Sequence, residues 1–115
     1  MPFMFENLEV YRKSMSFVVA IYNTCSDIRH REIKDQLTRA ALSIPLNIAE
    51  GQGRNTDREK AQFYKTARGS LFECVAILEL TKKIGIISDE KHQSLYTLAD
   101  EIGRMLNGLI RSVRK

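Results

Sequence analysis

Tryptophan is missing from this chain, and its 115 residues include only two prolines, six glycines and two cysteines. So little turn chemistry speaks against a many-stranded sandwich or barrel and for long helices. The thiols of Cys25 and Cys74 stand far apart without Cys-x-x-Cys spacing. A zinc site and a disulfide framework are therefore set aside in favour of two buried thiols in a reducing compartment. No run approaches the roughly 20 apolar residues that cross a bilayer. The start Met1-Pro2-Phe3-Met4-Phe5-Glu6 lacks the basic segment and long apolar run of a signal peptide, so a cytoplasmic protein with no membrane partner is expected.

What is present is the composition of a folded chain. Hydrophobic residues make up 43%, and 18 Lys+Arg are interspersed with 14 Asp+Glu, which is far from the signature of disorder. The length suits one domain over residues 1–115, with too little chain for two. Apolar residues recur at steps of three and four in four successive segments, the period of an amphipathic helix. Leu8, Tyr11, Met15, Val18, Tyr22 and Cys25 form the stripe of a first helix from about residue 6 to 24. Ile33, Leu37, Ala40, Ala41, Ile44 and Ile48 form that of a second, from about 30 to 52. Pro45 is expected to kink or widen the turn at 41–45, since it cannot donate to the carbonyl of Ala41, and Gly51 and Gly53 are read as helix termination.

Thr56 and Glu59 make a capping-box pattern that opens a third helix at about 57 to 84. Its inward stripe is Tyr64, Ala67, Leu71, Cys74, Val75 and Leu78. Gly69-Ser70 offers a small spot for close approach, and Gly85 sits where the residue after a helix C-cap belongs. Ser88 caps a fourth helix from about 89 to 113, with Leu95, Leu98, Ile102, Met105, Leu109 and Val113 inward. Short connections between long helices predict an all-α, antiparallel up-down-up-down four-helix bundle.

The chemistry usual to such bundles is not encoded. A di-metal carboxylate centre needs Glu-x-x-His pairs; there are none, and His30 in a loop and His92 in a polar first turn are poor bundle-core ligands. No phosphate-binding glycine loop occurs, and no base stands near Ser43, Ser70, Cys25 or Cys74 in sequence. The expectation is a protein that is not an enzyme, with no metal and no cofactor. The informative charge pattern is cationic. Net charge is +4 with a pI near 9.2, Arg104, Arg111, Arg114 and Lys115 crowd the end, and Arg54, Arg58, Lys65 and Arg68 fall within a quarter of a helical wheel. Such a strip neutralises phosphates and releases counterions. The plainer reading is a solvated helix face paired with Glu50, Asp57 and Glu59. Phe63 and Tyr64 beside the strip are either stacking platforms or core.

The run Gln36-Leu37-Thr38-Arg39-Ala40-Ala41-Leu42-Ser43-Ile44-Pro45-Leu46-Asn47-Ile48-Ala49-Glu50-Gly51-Gln52-Gly53-Arg54 resembles the signature of the four-helix-bundle proteins encoded in 23S rRNA intervening sequences. Ala67-Arg68-Gly69-Ser70-Leu71-Phe72-Glu73 is similar to that family's second motif. Phe5-Glu6-Asn7-Leu8-Glu9-Val10-Tyr11 resembles its first-helix start, and Leu106-Asn107-Gly108-Leu109-Ile110 its C-terminal motif. Thr38 departs from the first of two arginines usual there, and the first loop lacks the family's Pro and acidic pattern. The resemblance implies a bundle without known catalytic activity that associates into a ring-like homo-oligomer, a pentamer. A related branch looks like accessory proteins of diversity-generating retroelements, which bind RNA or DNA and a reverse transcriptase; that link is analogy of architecture alone.

Within the signature, Asn47, Glu50 and Arg54 share a helix face with Arg39 to one side. They suit either a structural polar network or a ligand-contacting surface. Val19, Ile21, Leu42, Leu46, Phe63, Ile77, Leu80, Ile84, Ile86 and Ile87 lie off the inward stripes, more apolar surface than one bundle covers, so part of the second and third helices is expected to be subunit interface. The sequence thus predicts an oligomeric bundle that contacts structured RNA or a ribonucleoprotein through Arg39, Arg54, Arg58, Lys65 and Arg68. Its rival is a protein-binding structural adaptor, such as an accessory subunit of a reverse-transcriptase complex.

Overall fold

The computed structural model describes residues 3–114; the expectations that fell on Met1, Pro2 and Lys115 lie outside them. Four helices carry the chain: α1 (Glu9–Cys25), α2 (Arg31–Gln52), α3 (Asp57–Lys83) and α4 (Asp89–Ser112), with no strand among the described residues. A 3-10 turn over Met4–Asn7 precedes them. There the Phe3 amide donates to the Glu6 carboxylate at 2.7 Å, Leu8 stays extended as N-cap, and α1 begins later than the apolar spacing suggested.

Most of the expected stripes of α2 and α3 is buried, with Leu37, Ala40, Ala41, Ile44 and Ile48 of α2 and Tyr64, Ala67, Leu71, Cys74 and Leu78 of α3 in the core, while Ile33 and Val75 are half-buried. Along α1 the inward face is rotated. Phe17 and Ile21 are fully buried, whereas Met15 and Tyr22 are exposed. Ser14 and Thr24 lie on that buried face because their hydroxyls donate to the helix's own carbonyls of Tyr11 and Ala20, both at 2.8 Å, which removes the cost of burying them. Ile21 therefore belongs to the core and not to the leftover apolar surface. On α4 the stripe is likewise shifted, to His92, Leu95, Ala99, Ile102, Leu106 and Ile110.

Pro45 does not break α2: every residue from Arg31 to Gln52 is α-helical, with no widened turn, although the proline cannot donate to the Ala41 carbonyl, and its ring is fully buried. Spanning the proline, the Asn47 side-chain amide donates to the Ser43 carbonyl at 2.8 Å and to its hydroxyl at 2.9 Å. The Ser43 and Ser70 hydroxyls meet at 2.8 Å, joining α2 to α3. Gly51 is the point of closest approach, since a Cβ there would lie 2.8 Å from Tyr64 Cε1 and 2.9 Å from Phe63 Cβ. It serves packing and not helix termination; Gly69, expected to be such a spot, faces open space.

The predicted caps form. Thr56 Oγ1 accepts from the Glu59 amide at 3.1 Å, and the Glu59 carboxylate returns to that hydroxyl rather than to a backbone amide. Ser88 accepts from the Lys91 amide at 3.0 Å. Gly85 adopts φ +78°, and the amides of Ile86 and Gly85 donate to the carbonyls of Thr81 and Lys82, both at 3.0 Å, which is a Schellman closure of α3.

α2 packs on α1 and α3, and α4 on α3 and α1, so the four helices surround one hydrophobic core. Cys25 and Cys74 are free and buried in it. Burial, aided by Glu73 and Cys25, pushes the Cys74 thiol up to about 12, which leaves it protonated and unreactive.

Candidate nucleic-acid interface

The first turns of α3 carry Arg58 and Lys65 seven residues apart, hence on one face, and both are exposed. The end of α4 brings Ile110, Val113 and Arg114 against them, and these side chains line one open groove together with Asp57 and Gln62. Three cations thus converge where the lining offers a single carboxylate. Arg114 belongs to the charge-rich tail noted in the sequence, but only the packing of α4 on α3 places it beside Arg58.

A turn further along α3, Arg68 Nη1 donates to Asn107 Oδ1 at 2.9 Å. That bond ties the second sequence motif to the C-terminal one and holds the guanidinium at the α3–α4 seam. A second groove on the same pair of helices is lined by Phe72 and Ala76 of α3 and Tyr96, Ala99 and Gly103 of α4. Arg104 stands on its rim, with Nε 3.2 Å from Asp100 Oδ2. At the far end His92, placed by sequence in a polar turn, is buried with Nε2 3.3 Å from Glu79 Oε2, and its ring lies 5.9 Å from that of Tyr96.

Two of the sequence-predicted cations stand elsewhere. Arg54, in the α2–α3 connection, places Nη2 2.6 Å from Glu50 Oε2 and its guanidinium 4.5 Å from the centre of the Phe63 ring. Ion pair and cation–π contact together turn it into a clamp on the connection. Arg39 is exposed on α2, about 18 Å along the helix from Gly51 at 1.5 Å per residue. Asn47 and Glu50 do not form one network; Asn47 engages Ser43, and Glu50 engages Arg54. Phe63 is half-buried with Arg54 over one ring face, and Tyr64 is buried, so of the two rings the sequence offered for stacking Tyr64 is closed and Phe63 is partly covered. The exposed aromatics are Phe3, Tyr22, Phe72 and Tyr96; of these Phe72 and Tyr96 line the groove between α3 and α4, and no periodicity argument singled them out because both fall outside the inward stripes.

Among the described residues no three His, Cys, Asp or Glu side chains gather into a metal-holding group, and no helix is long and apolar enough to cross a membrane.

These features define an all-α protein of four helices with a cationic groove at one edge. The family model of the 23S rRNA-intervening sequence protein matches residues 6–108, and the chain belongs to that family, in accord with the resemblance of its sequence motifs. No curated protein matches the chain by sequence. Among solved structures it is similar to a protein of unknown function from the S23 ribosomal protein family of Bacteroides thetaiotaomicron. The TM-score is 0.82 at 25% identity, covering 88% of this chain and 97% of that one.

Proposed function

We propose that this protein is a non-enzymatic, cytoplasmic homo-oligomer that binds structured RNA, alone or in a ribonucleoprotein, through the cationic seam between α3 and α4. The observation that carries the reading is the convergence of Arg58, Lys65 and Arg114 on one open groove, where they neutralise neighbouring phosphates and release counterions. The rRNA context in the family's description supports the same class of ligand. An antiparallel up-down-up-down order of helices is part of the proposal. It is supported by cross-helix pairs in which one number rises as the other falls: Ser43 with Ser70 and Gly51 with Tyr64 between α2 and α3. Arg68 with Asn107 and Glu79 with His92 repeat the trend between α3 and α4. Assembly into a ring, a pentamer as the resemblance implies, would repeat the seam around the particle and raise its avidity for a long polyanion.

The test is binding of a labelled structured RNA and of an unrelated duplex across a salt series. Wild type should lose affinity steeply with salt. The variant Arg58→Ala/Lys65→Ala/Arg114→Ala should flatten the log–log slope by about 2 to 3, while Arg54→Ala should leave the slope unchanged. Absence of binding at low salt would overturn the reading in favour of a protein-binding adaptor.

A further inference from the structure

Further along the same pair of helices lies a second, more apolar groove lined by Phe72 on α3 and Tyr96 on α4, and these side chains are 60% and 45% exposed. Exposed aromatics that line a groove offer flat apolar faces to a ligand. Small residues, Ala76, Ala99 and Gly103, share the lining with the two rings, which leaves room beside them for a flat ligand. Two carboxylates also line this groove, Asp100, which Arg104 offsets at 3.2 Å, and Glu79, 3.3 Å from His92 Nε2, so the cations for a phosphate track are those of the neighbouring groove.

From this juxtaposition we infer that the α3–α4 seam is a single-strand site. The sugar-phosphate backbone of an unpaired RNA segment runs along Arg58, Lys65 and Arg114, and its bases stack on Phe72 and Tyr96. A cationic track with aromatic platforms is what unpaired strands require, because their bases are free to leave one another and lie on a ring. A duplex keeps its bases stacked inside and would use the cations alone. Arg58 and Phe72 are about 21 Å apart along α3 at 1.5 Å per residue, and at the roughly 3.4 Å rise of a stacked strand that length takes on the order of six nucleotides. The inference rests on the proposed RNA-binding function and names the form of RNA the site takes.

The deciding experiment measures fluorescence anisotropy of an unstructured 12-nucleotide RNA and a blunt 12-base-pair RNA duplex with the full chain. The proteins are wild type, Phe72→Leu/Tyr96→Leu, and Arg58→Ala/Lys65→Ala. Leucine keeps the apolar bulk and removes the π face, and circular dichroism with light scattering checks fold and particle mass. The expected result is tighter binding of the single strand by wild type, at least a tenfold loss for it in the leucine variant with duplex binding and salt slope unchanged, and loss for both probes in the arginine-lysine variant. Equal binding of the two probes with no effect of the leucine pair overturns the single-strand site and leaves the RNA-binding function standing. A leucine variant that changes particle mass but not affinity also overturns it, assigning the rings to subunit contact. No binding of either probe at low salt overturns both proposals together.

Discussion

Gly51 shows how one residue fixes the spacing of two helices. The hydrogen on its Cα lets α2 approach Tyr64 and Phe63 to a distance that no Cβ tolerates. Gly51→Ala must push apart two packed elements, and a loss of about 1–3 kcal/mol is expected from overpacking, read as a lowered midpoint in urea. Gly53→Ala is the control. Its added carbon meets nothing nearer than 3.7 Å and its φ is −83°, so it should be neutral or slightly stabilising. Equal midpoints for the two variants would show that the close approach is not what Gly51 is for. Arg54 makes a related point about charge. Its neighbours on the helical wheel suggested a phosphate contact, yet Glu50 and Phe63 already occupy it. Wheel angle says which way a side chain leaves the helix, and the neighbouring helix supplies what it meets.

At the scale of elements, boundaries are set by local chemistry that a sequence displays openly. Thr56, Ser88 and Gly85 each satisfy backbone groups that a helix end leaves unpaired, and each does so where the sequence predicted. Two glycines of α3 and its terminus should consequently respond with opposite signs. Gly85→Ala forces a side chain into the left-handed region at φ +78°, and should cost about 1–2 kcal/mol. Gly69→Ala adds a methyl group in open space within a helix, and should gain about 0.5–1 kcal/mol. Thermal melts of the two variants check both signs, and a stabilised Gly85→Ala would remove the Schellman account. Which face an element turns inward was less legible. On α1, Val10, Phe17, Val18 and Ile21 lie beside hydroxyls that bond to their own helix, so polarity does not mark the solvent side and two stripes fit the same spacing.

Over the whole molecule, the described residues leave Val19, Leu42, Leu46, Leu80 and Ile84 half or more exposed or close to it. That much apolar surface is more than isolated exposed side chains would scatter. Light scattering should return a mass several times the 13.2 kDa of one chain. Val19→Asp/Leu46→Asp should lower that mass while helicity is retained, since a buried charge without a partner opposes association. A wild-type mass of one chain at micromolar concentration would dispose of the oligomer.

The sequence by itself determined the four helices, their caps, the inward stripes of α2 and α3, and the family to which the chain belongs. Those are consequences of spacing and of turn chemistry, which act within a few residues. Arg58, Lys65 and Arg68 were legible for the same reason, as cations on one face of one helix. Tertiary structure decided the rest. It carried Arg114 to Arg58, bonded Arg68 to Asn107, withdrew Arg54 and Tyr64 from the surface cluster, and set Phe72 and Tyr96 in the lining of one groove. Residues far apart in the chain meet only through packing, and packing responds to side-chain volume at the helix interface, which a pattern of polar and apolar letters does not record.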